Sequence, residues 1–422
     1  MRVTFTMRRF KVLLFKRVII ISICVLLPYY ASLLVKWKPI LNLIPEDTDS
    51  SGTKQWFTSS QLETQHQNYE HEGTRTALNL KTQSEQFDIS TQNREGNQNI
   101  PQQQQMFPTR KNVIILSQGR GGSSFLGGIF NSNPQVLYLF EPLFNVGKML
   151  NVNLFLEKEP SNYKDICVQL IDSFFKCEFS NLTDATLSEL SASGFRIHSN
   201  ALSSGDLCPD KPKSSRCASF KKTLLSKVCN SYKHTVIKIL TPRLPNNTIQ
   251  SLRDLFTQKN RYDARFINLV RDPRAVVHSW VESNWIKNHS DQGFRENVHK
   301  ICDPIENNVR YGLVSSPPWL KNRFKVIRYE DLAVNTVSVA RELYRYVGID
   351  WSINVDKWIS DHQKELSGAR VDNNPYSLFK NASFAMNKWK RQASKEMITV
   401  VEDICGSLMN IMGYSKWNKD DR

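Results

Sequence analysis

The sequence predicts an α/β domain over residues 110–422, a mainly parallel sheet flanked by helices on both faces, behind an apolar span and a polar stem. Three observations predict it. Apolar runs of strand length alternate with longer segments of helical spacing, the pattern of parallel strands joined by crossover helices. Two of those runs pass into a helix through turns rich in anion-binding groups. Composition also changes sharply near residue 110. A segment of some 300 residues is long enough to bury a sizeable core.

The chain opens with six cations (Arg2, Arg8, Arg9, Lys11, Lys16 and Arg17), and residues 18–35 then carry no charge over eighteen positions. That length is close to the roughly 20 residues that cross a bilayer. The alternatives are a buried core helix or a cleaved signal peptide, whose apolar core is shorter. Only Lys36 and Lys38 follow closely, so the charge asymmetry puts residues 1–17 in the cytoplasm and everything after the span across the membrane. Residues 36–109 read as a disordered stem: the block 46–109 holds twelve Gln and few aliphatic residues. Such a stretch buries too little to offset its ordering entropy.

A formal charge of +16 favours anionic partners. Charge does not choose among nucleic acid, lipid, phosphate compounds and acidic polysaccharide, but placement across a membrane removes nucleic acid. The sequons at Asn181, Asn246, Asn288 and Asn381 fit that placement. Seven of the eight cysteines follow the span and none forms a Cys-x-x-Cys pair, so disulfides are expected and no metal. Seven is odd, so at least one thiol is free or pairs with another chain, and the connectivity is open.

Order begins near Lys111. Strands are expected at 113–117, 136–140, 235–240, 265–270 and 324–329, and helices at 274–286, 331–347 and 395–412. Phe125, Leu126, Ile129 and Phe130 recur at helical spacing after the first strand. Between that strand and helix lie Gly119, Arg120, Gly121, Gly122, Ser123 and Ser124. Glycines let the backbone approach an anion, a helix start offers N–H groups and a favourable dipole, and the hydroxyls and the guanidinium add donors. No Gly-Lys-Ser/Thr closes the loop, so it is not a Walker loop. The second strand–turn–helix segment carries Arg271 at its strand end and Ser279 about two helical turns on, with Asp272 placed to cap the helix and Pro273 at its first position. Arg271 and Ser279 are thereby candidates for a second phosphate; the alternative is a surface pair between Arg271 and Asp272.

Together the segments resemble the 5′-phosphosulfate and 3′-phosphate motifs of sulfotransferases that use 3′-phosphoadenosine-5′-phosphosulfate (PAPS). The match is to the Golgi carbohydrate family acting on the 6-hydroxyl of N-acetylglucosamine, galactose or N-acetylgalactosamine. It rests on Arg120–Phe125, YLFEPL (138–143), LVRDPRAVV (269–277), RYEDL (328–332), NKWK (387–390) and the late Cys405 and Gly413-Tyr414, and it covers about 112–415. The resemblance implies a P-loop, nucleotide-kinase-like fold in a single-pass type II Golgi membrane protein. It implies PAPS as donor without a metal, a glycan or glycosaminoglycan as acceptor, and leaves open whether the chain forms a homodimer. Arg120, Gly121, Gly122, Ser123, Ser124 and Phe125 would then hold the phosphosulfate, and Arg271 and Ser279 the 3′-phosphate. Two positions depart from the family pattern: Gly121 stands where Thr is usual, removing one side-chain contact, and Trp280 stands where many relatives carry Arg.

Sulfuryl transfer resembles in-line phosphoryl transfer, so alignment and stabilisation of the leaving group carry most of the work. Arg120 is placed to take up the leaving group's charge. A sugar hydroxyl also needs a base. Glu141 is the first candidate, because its strand is expected to end beside the loop strand; His198 and His278 are the alternatives. Two other classes are a Golgi glycosyltransferase and an inactive lumenal binder of acidic polysaccharide. The first often needs an Asp-x-Asp metal site, found here only at 47–49 in the stem. The second would not need both phosphate motifs.

Overall fold

A computed structural model describes residues 110–417 apart from 154–157, 192, 204, 209–216, 218, 258–261, 288–291 and 368–385. The apolar span 18–35, the stem and the sequons at Asn288 and Asn381 lie outside the described residues, among which no helix is long and apolar enough to cross a membrane.

Five strands, β1 (Lys111–Ser117), β2 (Val136–Phe140), β3 (His234–Leu240), β4 (Asp263–Val270) and β5 (Phe324–Arg328), form one parallel sheet in the order β2-β3-β1-β4-β5. β1 is central, with Leu116 paired to Ile239 of β3 on one side and to Asn268 of β4 on the other. Strands buried on both faces read as near-continuous apolar runs, which is why β1 to β4 were legible; the edge strand β5 is only partly buried. The last ends one residue earlier than the pattern suggests, because Tyr329 already opens a helix.

The α-helices of six or more residues among the described residues are α1 (Ser123–Asn131), α2 (Pro142–Met149), α3 (Tyr163–Lys176), α4 (Asp184–Leu190), α5 (Lys222–Ser231), α6 (Pro273–Glu282), α7 (Gln292–Arg310), α8 (Tyr329–Val334), α9 (Thr336–Val347), α10 (Ile353–Ser367) and α11 (Lys395–Met412). Alternate residues of β1 serve opposite layers. Ile114 and Leu116 join a core with Leu170 and Phe174 of α3, whereas Val113 and Ile115 join one with Leu126 and Ile129 of α1 and Leu343 of α9. A third core packs α6, α7 and α11.

Two helix expectations are corrected. α6 ends at Glu282 rather than 286, because Asn284 turns left-handed (φ 55°) and the Trp285 N–H returns to the Trp280 carbonyl at 2.9 Å. The expected helix at 331–347 is two, α8 and α9, broken where Asn335 leaves helical geometry (φ −116°, ψ 46°). α11 forms as read, with the Ser394 hydroxyl accepting from the Met397 N–H and Gly413 in the left-handed region at the other end.

Cys177–Cys229 ties the end of α3 to α5, Cys302–Cys405 ties α7 to α11, and Cys208–Cys217 closes a short loop. The odd thiol among the described cysteines is Cys167, buried in α3 and pushed up to about 12 by burial. The asparagines of the two described sequons, Asn181 and Asn246, are exposed.

Candidate active site

The β1–α1 loop is held by its own backbone: the Gly121 N–H donates to the Gln118 carbonyl at 3.0 Å, and Arg120 (φ 70°) and Gly122 (φ 83°) are left-handed. A β-carbon on Gly122 would overlap the Tyr329 ring, so this position has neither the conformation nor the space for a side chain. Gly121 is open for a different reason. A β-carbon there would run into Ser117 Oγ, which occupies the place and donates to the Leu269 carbonyl at 2.9 Å. Ser117 thus fills the space that a side chain at Gly121 would need. Ser123 and Ser124 open α1, where the first-turn N–H groups have no partner within the helix and the dipole is positive.

β4 delivers Arg271 to the same place. Its Nη1 donates to the Arg120 carbonyl at 2.8 Å, and its guanidinium lies 4.9 Å from the centre of the Tyr329 ring. From α6, Ser279 Oγ accepts from Arg120 Nε at 3.0 Å. Arg120 therefore joins the two candidate phosphate grips, which are separated by about 150 residues of sequence. The expected cap forms: Asp272 Oδ1 accepts from the Arg274 N–H at 2.8 Å, and Pro273 starts α6. Asp272 does not pair with Arg271. Its side chain holds Arg274 at 2.8 Å, and Arg274 also reaches Glu402 of α11 at 2.6 Å and lies over Trp389.

The remaining motifs brace this arrangement. Glu330 accepts from the Asp272 N–H (3.1 Å) and from the Tyr414 hydroxyl (2.7 Å), and burial raises its carboxyl above the ordinary value. Those bonds join RYEDL and Gly413-Tyr414 to the strand end that carries Arg271. Trp280 does not stand apart from the loop: its Nε1 donates to the Gly119 carbonyl at 3.1 Å, and it meets Trp285 edge to face at 4.6 Å.

Glu141 follows β2, left-handed (φ 50°) at the start of α2 and 8% exposed. Its strand does not end beside the loop strand, as the sequence suggested, because β3 lies between β2 and β1. The carboxylate is clasped by two cations instead. Lys238 Nζ lies 2.7 Å from one oxygen, and Arg243 pairs with the other. Lys238 also donates to Ser124 Oγ at 3.0 Å and lies 4.1 Å from the centre of the Phe140 ring. His198 packs its ring on Phe140 at 4.1 Å; burial, then the Lys238 charge, pull it down to about 4, so it is neutral near pH 7. His278 is buried within α6. Phe125 packs against Trp358 and His362 of α10, its ring centre 5.8 and 5.7 Å from theirs.

A family model described as Sulfotransferase domain matches residues 110–413, the length of the described fold. The chain belongs to the sulfotransferase family. It is similar to carbohydrate sulfotransferase 3 of Homo sapiens, 30% identical over 341 residues that cover 72% of this chain and 67% of that protein. Carbohydrate sulfotransferase 3 of Tetronarce californica is 29% identical over 72% of this chain and 73% of its own length. Carbohydrate sulfotransferase 1 of Danio rerio is 27% identical over 74% and 80%.

In this sulfotransferase, sequence reading missed Lys238, Arg243, Glu282 and the part Tyr329 plays. The signal for Lys238 was present: a Lys amid an apolar strand, TVIKIL, is fully buried only when something pairs with it. Arg243, which burial lowers to about 9, follows the same strand by five residues. Tyr329 was singled out only as part of RYEDL, and nothing in the sequence marked it as the residue that fills the space beside Gly122. Glu282 lies on α6 one turn beyond Ser279; burial pushes it up to about 8, against the pull of Lys388 from NKWK.

Proposed function

We propose that this sulfotransferase moves the sulfuryl group of PAPS to the 6-hydroxyl of an N-acetylglucosamine, galactose or N-acetylgalactosamine residue in a glycan or glycosaminoglycan. The observation that carries the reading is Arg120, bonded through Nε to Ser279 and through its carbonyl to Arg271. A donor with phosphates at both ends of its ribose needs two grips at a fixed separation, and Arg120 fixes them. Arg120, Gly121, Gly122, Ser123 and Ser124 would face the 5′-phosphosulfate, with Phe125 supporting α1, and Arg271 and Ser279 would face the 3′-phosphate.

In the transfer the sugar oxygen bonds to sulfur as the bond from sulfur to the bisphosphate oxygen breaks, and the hydroxyl proton leaves to a base. Arg120 and the α1 N–H groups stabilise charge growing on the leaving phosphate. Glu141 is the base in this reading, on the far side of Lys238 from the loop. The acceptor class follows the carbohydrate sulfotransferases that the chain resembles. The apolar span 18–35 and its preceding cations support single-pass anchoring in the Golgi membrane with the domain lumenal.

Protease treatment of the full chain in sealed vesicles, followed by detergent opening and incubation with labelled PAPS and a panel of desulfated glycans, tests all of this. Label is expected on a 6-hydroxyl, with the C-terminal domain resistant to protease added outside. Label at another position would overturn the regiochemistry, digestion from outside the topology, and PAPS binding without transfer would favour the inactive lumenal binder.

A further inference from the structure

The buried charges beneath the loop do not balance. Lys238 is 2% exposed and Arg243 is 8% exposed, yet both converge on the single carboxylate of Glu141. A buried ion is costly unless it is paired and hydrogen-bonded. One cation would satisfy Glu141, and Arg243 already does so from the turn after β3. Lys238 therefore needs another explanation, and its second bond supplies one. Its Nζ reaches Ser124 Oγ, at the start of α1 in the anion-binding loop, while still holding Glu141. β3 separates β1, which leads into the loop, from β2, which leads into Glu141. Lys238 pairs in register with Ile115 of β1 and Phe140 of β2, so it stands midway between the two strand ends.

We propose that Lys238 is a positioning residue for sulfuryl transfer, tying Ser124 of the donor loop to Glu141 across β3 so that the two sides of the reaction keep one geometry. The inference rests on the sulfotransferase reading and adds a residue to it. The surplus positive charge also gives Lys238 a part in donor binding: an anion on the loop balances a cluster that is otherwise net positive.

The groups that face Lys238 are Glu141 at the start of α2, Ser124 of α1, Arg120 of the loop, Arg243 after β3, and His198 beside Phe140. Burial first, and the Arg120 charge second, draw the Lys238 ammonium down to about 7. The sign follows. As pH rises through that value Lys238 loses charge, and an anionic donor loses a partner.

The test uses the full chain and its Lys238→Met and Lys238→Arg variants. Each is titrated calorimetrically with adenosine 3′,5′-bisphosphate from pH 5.5 to 8.5, and each is assayed for kcat and KM with PAPS. Lys238→Met leaves Glu141 paired with Arg243, so the fold should hold, and a thermal melt checks this. Its kcat is expected to fall about 10²-fold, the size of effect that a misplaced reacting group produces. Its bisphosphate affinity should fall less, and should lose the decline with pH that the wild type shows relative to Lys238→Arg. Lys238→Arg keeps its charge throughout and should restore affinity to within about threefold. A kcat for Lys238→Met near the wild-type value would overturn the proposal. So would kcat, affinity and melting temperature falling in step, which marks support of the fold alone. If the wild type transfers no sulfate to any glycan, the sulfotransferase reading fails by itself. The titrations then decide on Lys238, and unchanged affinity and pH dependence in Lys238→Met would reject it.

Discussion

Arg120→Ala is expected to weaken PAPS binding by some tens- to thousands-fold, because truncating a charge that pairs with a desolvated partner costs about 2–5 kcal/mol. The position of Arg120 argues for the upper part of that range. Its guanidinium holds Ser279 of α6 and its carbonyl receives Arg271 after β4. Losing the side chain removes one direct anion contact and frees Ser279. The fold should survive, since Arg120 is half-buried and the sheet beneath it is apolar. Equilibrium titration with PAPS and a thermal melt check both halves of the statement. Unchanged affinity would remove Arg120 from the donor site.

Glu141→Gln is expected to lower turnover by about 10²–10⁴-fold, the usual contribution of a general base. Gln keeps the length and the acceptor oxygen of Glu while removing its basicity. Here the substitution also leaves Lys238 and Arg243 without a counter-charge, so the melting temperature should drop as well. The two effects separate in the kinetics. A base leaves bisphosphate affinity nearly unchanged once the variant is folded, whereas a residue that only orients Lys238 and the loop loses affinity and turnover together. Near-normal turnover would end the base role and turn attention to His198, which packs on Phe140 and is neutral over the working range.

The sheet was legible because β1 to β4 are largely buried and read as apolar runs, and the α6 cap was legible because Asp-Pro after a strand has few other uses. Arg120 in one segment and Arg271 with Ser279 in the other were identified from local chemistry, and the structure adds that Arg120 touches both. What escaped was long-range. Nothing local to Glu141 announces Lys238, 97 residues on, or that β3 would insert between β2 and β1. The sequence expectation for Trp280 compared it with an Arg, but its indole N–H serves the Gly119 carbonyl, a backbone partner that leaves no residue-type signature. α3 carries none of the strand-end motifs, and only the helical spacing of Cys167, Leu170, Ile171 and Phe174 marks it.

The claim on which the rest depends is that two strand–turn–helix segments form one site for a bisphosphate donor. Its most direct test is a comparison of two nucleotides on two proteins: PAPS and adenosine 5′-phosphosulfate, which differ only in the 3′-phosphate, titrated into the wild type and into Arg271→Ala. The wild type should prefer PAPS by tens-fold or more, since a charged partner is worth about 2 kcal/mol or above. Arg271→Ala should bind the two alike, with adenosine 5′-phosphosulfate affinity little changed because the Arg120 loop remains. Equal binding of both nucleotides by the wild type, or an undiminished preference in Arg271→Ala, would contradict the account.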